Sequence, residues 1–583
     1  MVESIRHESF YRTGIWIDEK LGVYVGWTVM ENSFADGMPL RNETGQVSLV
    51  FSGEDNPDLG TVAQLRSRGH AFSSGDASYL VHQYEDDSTF PRCLNGMFHG
   101  LVVDQRQGQT VLFNDRYGMH RLYFHEGRDA FYFAAEAKAI LAVCPELRRE
   151  DPRGLGEFLA CGAVLENRTL FEKIYVLPAG SAWVFRDRTI EKKATYFQPS
   201  EWEQLSALEP EPYYQKIRAA FSQNLPRYFQ GREKVGIALT GGLDTRAILA
   251  WWKAAPNTLP CYTFVGPYRE CQDVRMARQV ATVCGQQHQV IPVENEFLSR
   301  FAHYAERSIY LTDGCVDLTR CPDLYVSERA RQIAPVKVVG TFGSEILRQM
   351  AMFKPVVPGE AAFRPEMMAH IRQTGETYNN LRRQHPLTFA VFRQFPWYHF
   401  GVFALEQTQL TVRSPYLDND FVQAVYHSPK ITAETSDVRV RLIGDGSPEL
   451  ARMRSDRGVG GNSNSLSAAA LRAYLEFTFK AEYAYDYGMP QWVSKVDHAF
   501  SAFRLERLFL GRHKFLHFRV WYRDALAKYV QEMLLDSRTL SRPYIDRRGL
   551  EAIVQGHLVG GRNYTTEIHK LLTVELLHRL FLD

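Results

Sequence analysis

The stretch Lys234–Trp252, KVGIALTGGLDTRAILAWW, restricts the fold more than any other part of the chain. Val235, Ile237 and Leu239, separated by Gly236 and Ala238, make a short uncharged run of the kind that forms a parallel strand covered on both faces. Gly241 and Gly242 let the backbone turn sharply after Thr240 and present successive N–H groups to an anion. A helix opening near Asp244 adds its positive N-terminal end. A carboxylate at Asp244 repels a polyphosphate unless a divalent cation lies between them, so the stretch reads as a phosphate loop with a metal. It is neither a Walker A loop, which needs Lys-Ser/Thr after the second glycine, nor a GxGxxG turn.

At 583 residues the chain exceeds what one core usually supports, so two or three domains are expected. Lys and Arg number 68 against 67 Asp and Glu, a net charge of +1, so nothing global steers the chain to nucleic acid or to an anionic membrane. Its eight cysteines form no CxxC pair and no ligand-like grouping with His, which points away from zinc and toward reduced thiols in a cytoplasmic protein. No stretch reaches the roughly 18 consecutive apolar residues of a membrane span, and the charged start MVESIRHESF lacks a signal-peptide core.

Residues 1–200 alternate apolar and polar positions in short runs such as GVYVGWTV and GLVVDQ, the pattern of antiparallel sheets, with helices expected after Asp76 and over Ala135–Val143. Glu201–Glu211 reads as a polar linker. A helix over Tyr213–Phe221 then leads into βαβ alternation, with strands expected over Cys261–Val265, Gln287–Pro292 and Val336–Gly340 and a helix over Asp273–Cys284. This is the pattern of a doubly wound parallel sheet, whose ligands bind outside the carboxyl ends of the strands, and Leu239, Val265 and Gly340 lie at such ends. From 466 to 583 the period is helical, with Leu526, Tyr529, Val530 and Leu534 on one face and Leu571, Leu572, Leu576 and Leu580 on another.

Leu239-Thr240-Gly241-Gly242-Leu243-Asp244-Thr245 resembles the SGGxDS pyrophosphate loop of the asparagine synthetase family and other ATP-pyrophosphatases, with Thr for each Ser. Leu94–Phe98, Asn114–Gly118, Leu122–Phe124 and Phe133–Leu141 resemble consecutive segments of the class II glutamine amidotransferase domain that precedes it. The resemblance covers nearly the whole chain. It implies a multi-domain α/β protein: an N-terminal αββα N-terminal-nucleophile-like sandwich over 1–200, then a doubly wound parallel α/β synthetase domain over 211–583 with a helical C-terminal part. It also implies ATP and Mg2+ as cofactors, with Leu239, Thr240, Gly241, Gly242, Asp244, Thr245, Val265, Gly340 and Thr341 around the nucleotide and Asp244 and Glu345 on the metal. Thr341–Ile346 resembles the family's GEGSDE and GYGSD segments. Glu345 falls where the second metal-binding Asp stands, and Phe342 where Glu or Tyr helps the nitrogen attack. Phe accepts no proton and reads as a pocket wall. Arg413–Asp418, RSPYLD, resembles RVPFLD, which helps shape the synthetase site, and Asp418 is either a substrate contact or a helix N-cap. Arg454 or Arg457 stands where the family carries a catalytic lysine.

Two departures concern the first domain. Val2 stands where glutaminase members expose a nucleophilic cysteine, and Ser52 of Phe51–Glu54 where they carry an oxyanion Asn, so an inactive glutaminase is expected. The implied reaction is ATP-dependent amide formation between a small-molecule or peptide carboxylate and an amine or ammonia. A lasso-type or β-lactam-type cyclase and a non-catalytic nucleotide- or partner-binding protein stay open as alternatives, as does a homodimer. A glutamine-hydrolysing asparagine synthetase is contradicted by Val2.

Overall fold

The computed structural model describes residues 1–73, 75–358, 362–429, 438–455, 466–488, 494, 497–499, 505–508 and 510–583. The first half contributes β1 (Tyr11–Asp18), β2 (Val23–Met30), β3 (Leu40–Arg41), β4 (Val47–Asp55), β5 (Gly96–Asp104), β6 (Gln109–Asn114), β7 (Tyr123–Glu126), β8 (Phe131–Ala134), β9 (Tyr175–Val176), β10 (Ser181–Arg186) and β11 (Thr189–Thr195). They form a six-stranded antiparallel sheet in the order β11-β10-β6-β5-β4-β3, a β1-β2 hairpin and a three-stranded sheet β8-β7-β9.

The two-residue period assigns the faces. Val47, Leu49, Phe51, Phe98, Val102, Val111 and Phe113 pack on one side of the large sheet with Leu65 of α1 (Leu59–Ser67) and Leu80 and Val81 of α2 (Leu80–Asp86). Leu101, Val103, Leu112 and Trp183 face the other way, against Val25 of β2 and Phe124 of β7. Tyr123 and Ala134 point beyond that layer to Ile140 of α3 (Ala137–Leu141). The result is helix, sheet, sheet, helix, as expected. The expected helix Ala135–Val143 shortens to α3.

After α4 (Pro152–Cys161), the expected linker Glu201–Glu211 is not featureless. It starts inside α5 (Ser200–Glu203), whose Trp202 is buried with its ring 4.6 Å from Phe197. Pro210 opens α6 (Pro210–Asn224), a position where the missing N–H has no helical partner to lose. The second sheet holds β12 (Val235–Ala238), β13 (Cys261–Val265), β14 (His288–Pro292), β15 (Val336–Val338) and β16 (Thr411–Arg413), all parallel, in the order β14-β13-β12-β15-β16. Helices α7 (Leu243–Trp251) and α8 (Gln272–Val283) follow β12 and β13. The chain builds outward from β12 to β14, then returns to add β15 and β16 on the other side. The topological switch point therefore lies between β12 and β15.

Of the C-terminal stripes, Val530 and Leu534 are buried in the helix Ala527–Leu534, and the helix Thr565–Leu577 is buried on every side from Ile568 to Leu577. One apolar core runs from Tyr117 in the first half through Trp202 and Ile237 to Leu572. Among the described residues no helix is long and apolar enough to cross a membrane.

Candidate active site

The loops leaving β12 and β15 meet because two glycines let them. A Cβ on Gly340 would lie 2.4 Å from the Thr245 nitrogen, and one on Gly343 would lie 2.8 Å from the Tyr416 ring and 3.0 Å from Asp244 Cβ. The close approach places Ser344 on Asp244: its N–H and its hydroxyl donate to Asp244 Oδ2 at 3.2 and 2.6 Å. Arg439 Nη1 donates to Oδ1 at 3.2 Å, and the Tyr416 hydroxyl donates to the Asp244 carbonyl at 2.8 Å. Burial pushes the Asp244 carboxyl above its usual range, with Arg439 and Ser344 pulling back. Burial does the same to Glu345, the next residue along, and the charge on Asp244 pushes in the same direction. The two carboxylates thus share one poorly solvated, electrostatically coupled region, and the His399 ring nitrogen lies 4.0 Å from Glu345.

The remaining nucleotide-site candidates are placed as follows. Leu239 is buried and locked to β13, donating its N–H to the Tyr262 carbonyl and accepting the Thr263 hydroxyl. Thr245 is buried under Gly340; Val265 ends β13 with its carbonyl accepting the Val293 N–H; Thr341 is exposed, its carbonyl taken by Ser414 Oγ. The glycine loop itself corrects the sequence reading. Gly241 N–H donates to Asp273 Oδ1 at 2.8 Å and Gly242 N–H to Thr240 Oγ1 at 3.2 Å, so the donors expected to face an anion are held by the protein. Asp273, in the first turn of α8, supplies a carboxylate to a loop that attracts anions.

Sequence reasoning missed Arg246. Its side chain is buried in α7 and donates to the carbonyls of Gly241 (3.2 Å), Met453 (2.7 Å) and Arg454 (3.1 Å), fastening the glycine loop to the 453–454 segment. A guanidinium at the start of the apolar run AILAWW was the available signal. The site meets Arg454 through its carbonyl, while the guanidinium on Gly241 is that of Arg246. Arg457 lies outside the described residues.

Of the flanking motifs, Phe342 departs from expectation, Asp418 takes one of its two expected roles, and RSPYLD borders the site through Ser414 and Tyr416 as expected while also reaching the first half. Phe342 is not a pocket wall: it is fully buried at φ 80°, with its ring 4.1 Å from Phe395 and 5.0 Å from Phe403, so it anchors the loop from beneath. A left-handed backbone at a bulky residue is held only by such packing. Asp418 is an N-cap, accepting from the N–H groups of Asp420 and Phe421, and its other oxygen accepts from Asn95 Nδ2 at 2.9 Å and the Tyr228 hydroxyl at 3.0 Å. Arg413 reaches away from the nucleotide loops to grip Glu54 of β4 with two 2.7 Å bonds. RSPYLD therefore joins the halves.

Between the halves lies a cavity of about 200 Å³, lined by Ser52, His99 and His120 on one side and Phe400, Thr408 and Arg413 on the other. Ser52 Oγ and His120 Nε2 are 2.9 Å apart, and the His120 ring stacks on His99 at 4.5 Å. Burial holds the His99 pKa down at about 4 and that of His120 well below its usual value, so both imidazoles are neutral at pH 7.

A glutamine amidotransferase domain model matches residues 1–197, and an asparagine synthase model matches residues 216–395. Asparagine synthetase [glutamine-hydrolyzing] 1 of Bacillus subtilis (strain 168) is 23% identical over 357 residues, 59% of this chain and 54% of that protein. Amidase chry2 of Gibberella zeae is 21% identical over 330 residues, 52% of this chain and 47% of its own. The chain thus spans about half the length of these relatives. Among solved structures, glutamine phosphoribosylpyrophosphate amidotransferase from B. subtilis overlaps with a TM-score of 0.22 at 14% identity, covering 46% of this chain and 50% of that one, too loosely to bear on the site. An amidotransferase match followed by a synthase match, on a sandwich followed by a parallel sheet with two carboxylates at its switch point, makes this chain a member of the asparagine synthetase family.

Proposed function

We propose that the chain activates a carboxylate with ATP and Mg2+ as an acyl-adenylate and passes the acyl group to an amine or ammonia, leaving AMP and pyrophosphate. The observation that carries this reading is the pairing of Asp244 and Glu345 between β12 and β15. Ser344 bonds to Asp244 and so brings Glu345, its neighbour, to the same corner, where the hard oxygens of two desolvated carboxylates suit Mg2+ on the condition that Arg439 releases Asp244 Oδ1. When bound, Mg2+ offsets the negative charge that gathers on pyrophosphate. The chain's own groups do the rest. Gly241 and Gly242, released from Asp273 and Thr240, offer N–H groups to the pyrophosphate at the N-terminus of α7. Arg246 fixes the loop, and the strand ends at Val265 and Gly340 border the nucleoside. With Phe342 sealed in the core, it supplies no base, and amide formation should rise with pH toward the pKa of the amine.

Ser52, standing where the family's oxyanion Asn is expected, is engaged with His120 at 2.9 Å, which supports a protein that does not hydrolyse glutamine. Exchange of labelled pyrophosphate into ATP across a panel of carboxylates tests the ligase reading; no exchange with any of them sinks it. One observation favours a second reading, a non-catalytic nucleotide- or partner-binding protein: the loop N–H groups and both oxygens of Asp244 are already engaged by protein groups. On that reading Asp244→Asn changes no turnover.

A further inference from the structure

The outer face of the first half carries a second cluster that nothing above uses. Glu43 in the β3–β4 turn, His70 after α1, and His82 and Glu85 three residues apart on α2 bring one ligand-type atom each to within 4.8 Å of one another. We propose that these four residues bind a divalent transition cation of the Zn2+ type, as a tetrahedral site of two imidazole nitrogens and two carboxylate oxygens that braces α2 and the segment before it.

The geometry points to an ion and not to hydrogen bonds. His70 Nδ1 lies 3.5 Å from Glu43, and His82 Nδ1 lies 3.6 Å from Glu43 and 3.7 Å from Glu85. These separations exceed an ordinary hydrogen bond. The two His82 distances, to Glu43 Oε2 and Glu85 Oε2, approach the edge of a tetrahedron whose metal–ligand bonds are about 2.0–2.2 Å, which is about 3.3–3.6 Å, and His70 Nδ1 lies within 4.8 Å of the other ligand atoms. The second observation is His82 itself: its side chain is 4% exposed, and Nδ1, turned into the cluster, has no hydrogen-bond partner. An orphaned buried nitrogen costs free energy that a metal would recover.

The surrounding contacts orient the ligands. Asp86 sits 3.2 Å from His70 Nε2, which leaves Nδ1 for a metal, and Asp86 is in turn held by Arg68 at 3.0 Å. Arg106 and Asn42 both donate to Glu85 Oε1, at 2.6 and 2.8 Å, leaving Oε2 toward the cluster. A metal takes imidazole in its neutral form, so two carboxylate charges would face a doubly charged ion. Cysteine spacing pointed away from zinc because the ligands here are His and Glu, spread from residue 43 to residue 85.

The test strips the full-length protein with chelator, then adds Zn2+ and, as a spectroscopic probe, Co2+. One Zn2+ per chain by elemental analysis, tetrahedral Co2+ bands bleached by Zn2+, and a raised Tm are expected. Glu43→Gln, half exposed on a turn, should fold and weaken Zn2+ binding about 10-fold or more, as should His70→Ala. Asp244→Asn should leave the Zn2+ site unchanged, which separates it from the synthetase carboxylates. A folded wild-type chain that takes up no Zn2+, or Glu43→Gln and His70→Ala variants that bind it as wild type does, would overturn the proposal. A loss of Zn2+ uptake with Asp244→Asn would do so too.

Discussion

Two regions of this molecule, the loops at Asp244 and the cavity at Ser52, are built by opposite means. Around Asp244 charge accumulates: two carboxylates sit in a desolvated corner, the charge on Asp244 pushes Glu345 up, and the Arg439 guanidinium offsets part of the cost. Around Ser52 charge is withdrawn: two stacked, neutral imidazoles and a hydroxyl satisfy one another. The first arrangement is relieved by a cation, whereas the second is at rest without a ligand. The contrast is the reason the proposed chemistry is placed at Asp244 and the Ser52 cavity is read as packing.

Arg413 bears on both, since it closes the Ser52 cavity and ends β16 of the synthetase sheet. Arg413→Ala removes a buried guanidinium and leaves Glu54, only 14% exposed, without its partner, and a loss of about 3–5 kcal/mol in urea unfolding is expected. A loss below about 1 kcal/mol would make it a surface pair and dissolve the shared wall.

Asp244→Asn should lower pyrophosphate exchange by about 10²–10³-fold with the circular dichroism spectrum intact. An unchanged rate erases the contrast between the two regions and returns the loop to a structural turn.

An intermediate case sharpens it. Asp55, three residues beyond Ser52, is a buried carboxylate with donors, Tyr79 and the Asn95 N–H, and burial raises its pKa to about 6 despite them. Its folded value exceeds the unfolded one, so its contribution to stability is complete below about pH 4 and is lost as pH rises through about 6, on the order of 1–3 kcal/mol. The unfolding free energy of Asp55→Asn relative to wild type should therefore improve across that window. A difference that stays flat with pH would show that the donors suffice.

The smallest effect belongs to Ser52→Ala, about 1 kcal/mol of stability from the lost bond to His120, with exchange unaltered. A change in exchange would mean that the Ser52 cavity reaches the synthetase loops.

Much of this was legible in the chain. The uncharged run before Gly241 and the period-two patterns of β4 to β6 report their burial directly, because a strand's faces are written in alternate residues. Asp244 was singled out by its place after the glycine turn, and Glu345 by the resemblance of Thr341–Ile346 to the family's segments. What stayed hidden depends on contacts across long separations. Thr411–Arg413 is too short to announce a fifth strand. Arg439 and Arg246 look like solvated charges until the fold buries them. Phe342 reads as a wall because no local pattern tells that Phe395 and Phe403 will enclose it. Asp418 could be settled only once Asn95, more than three hundred residues earlier, arrived at its second oxygen.

The apolar core that passes without a break from Tyr117 through Trp202 to Leu572 has a consequence for descent. Modules that can be exchanged between genes meet across thin, wettable seams; here the seam is filled by Phe197, Trp202, Phe392 and Tyr426, rings that face one another at 4.6 to 6.1 Å. Neither half could be borrowed from another gene without its counterpart's aromatic face. Each half completes the other's core, so parting them would turn these rings out to water.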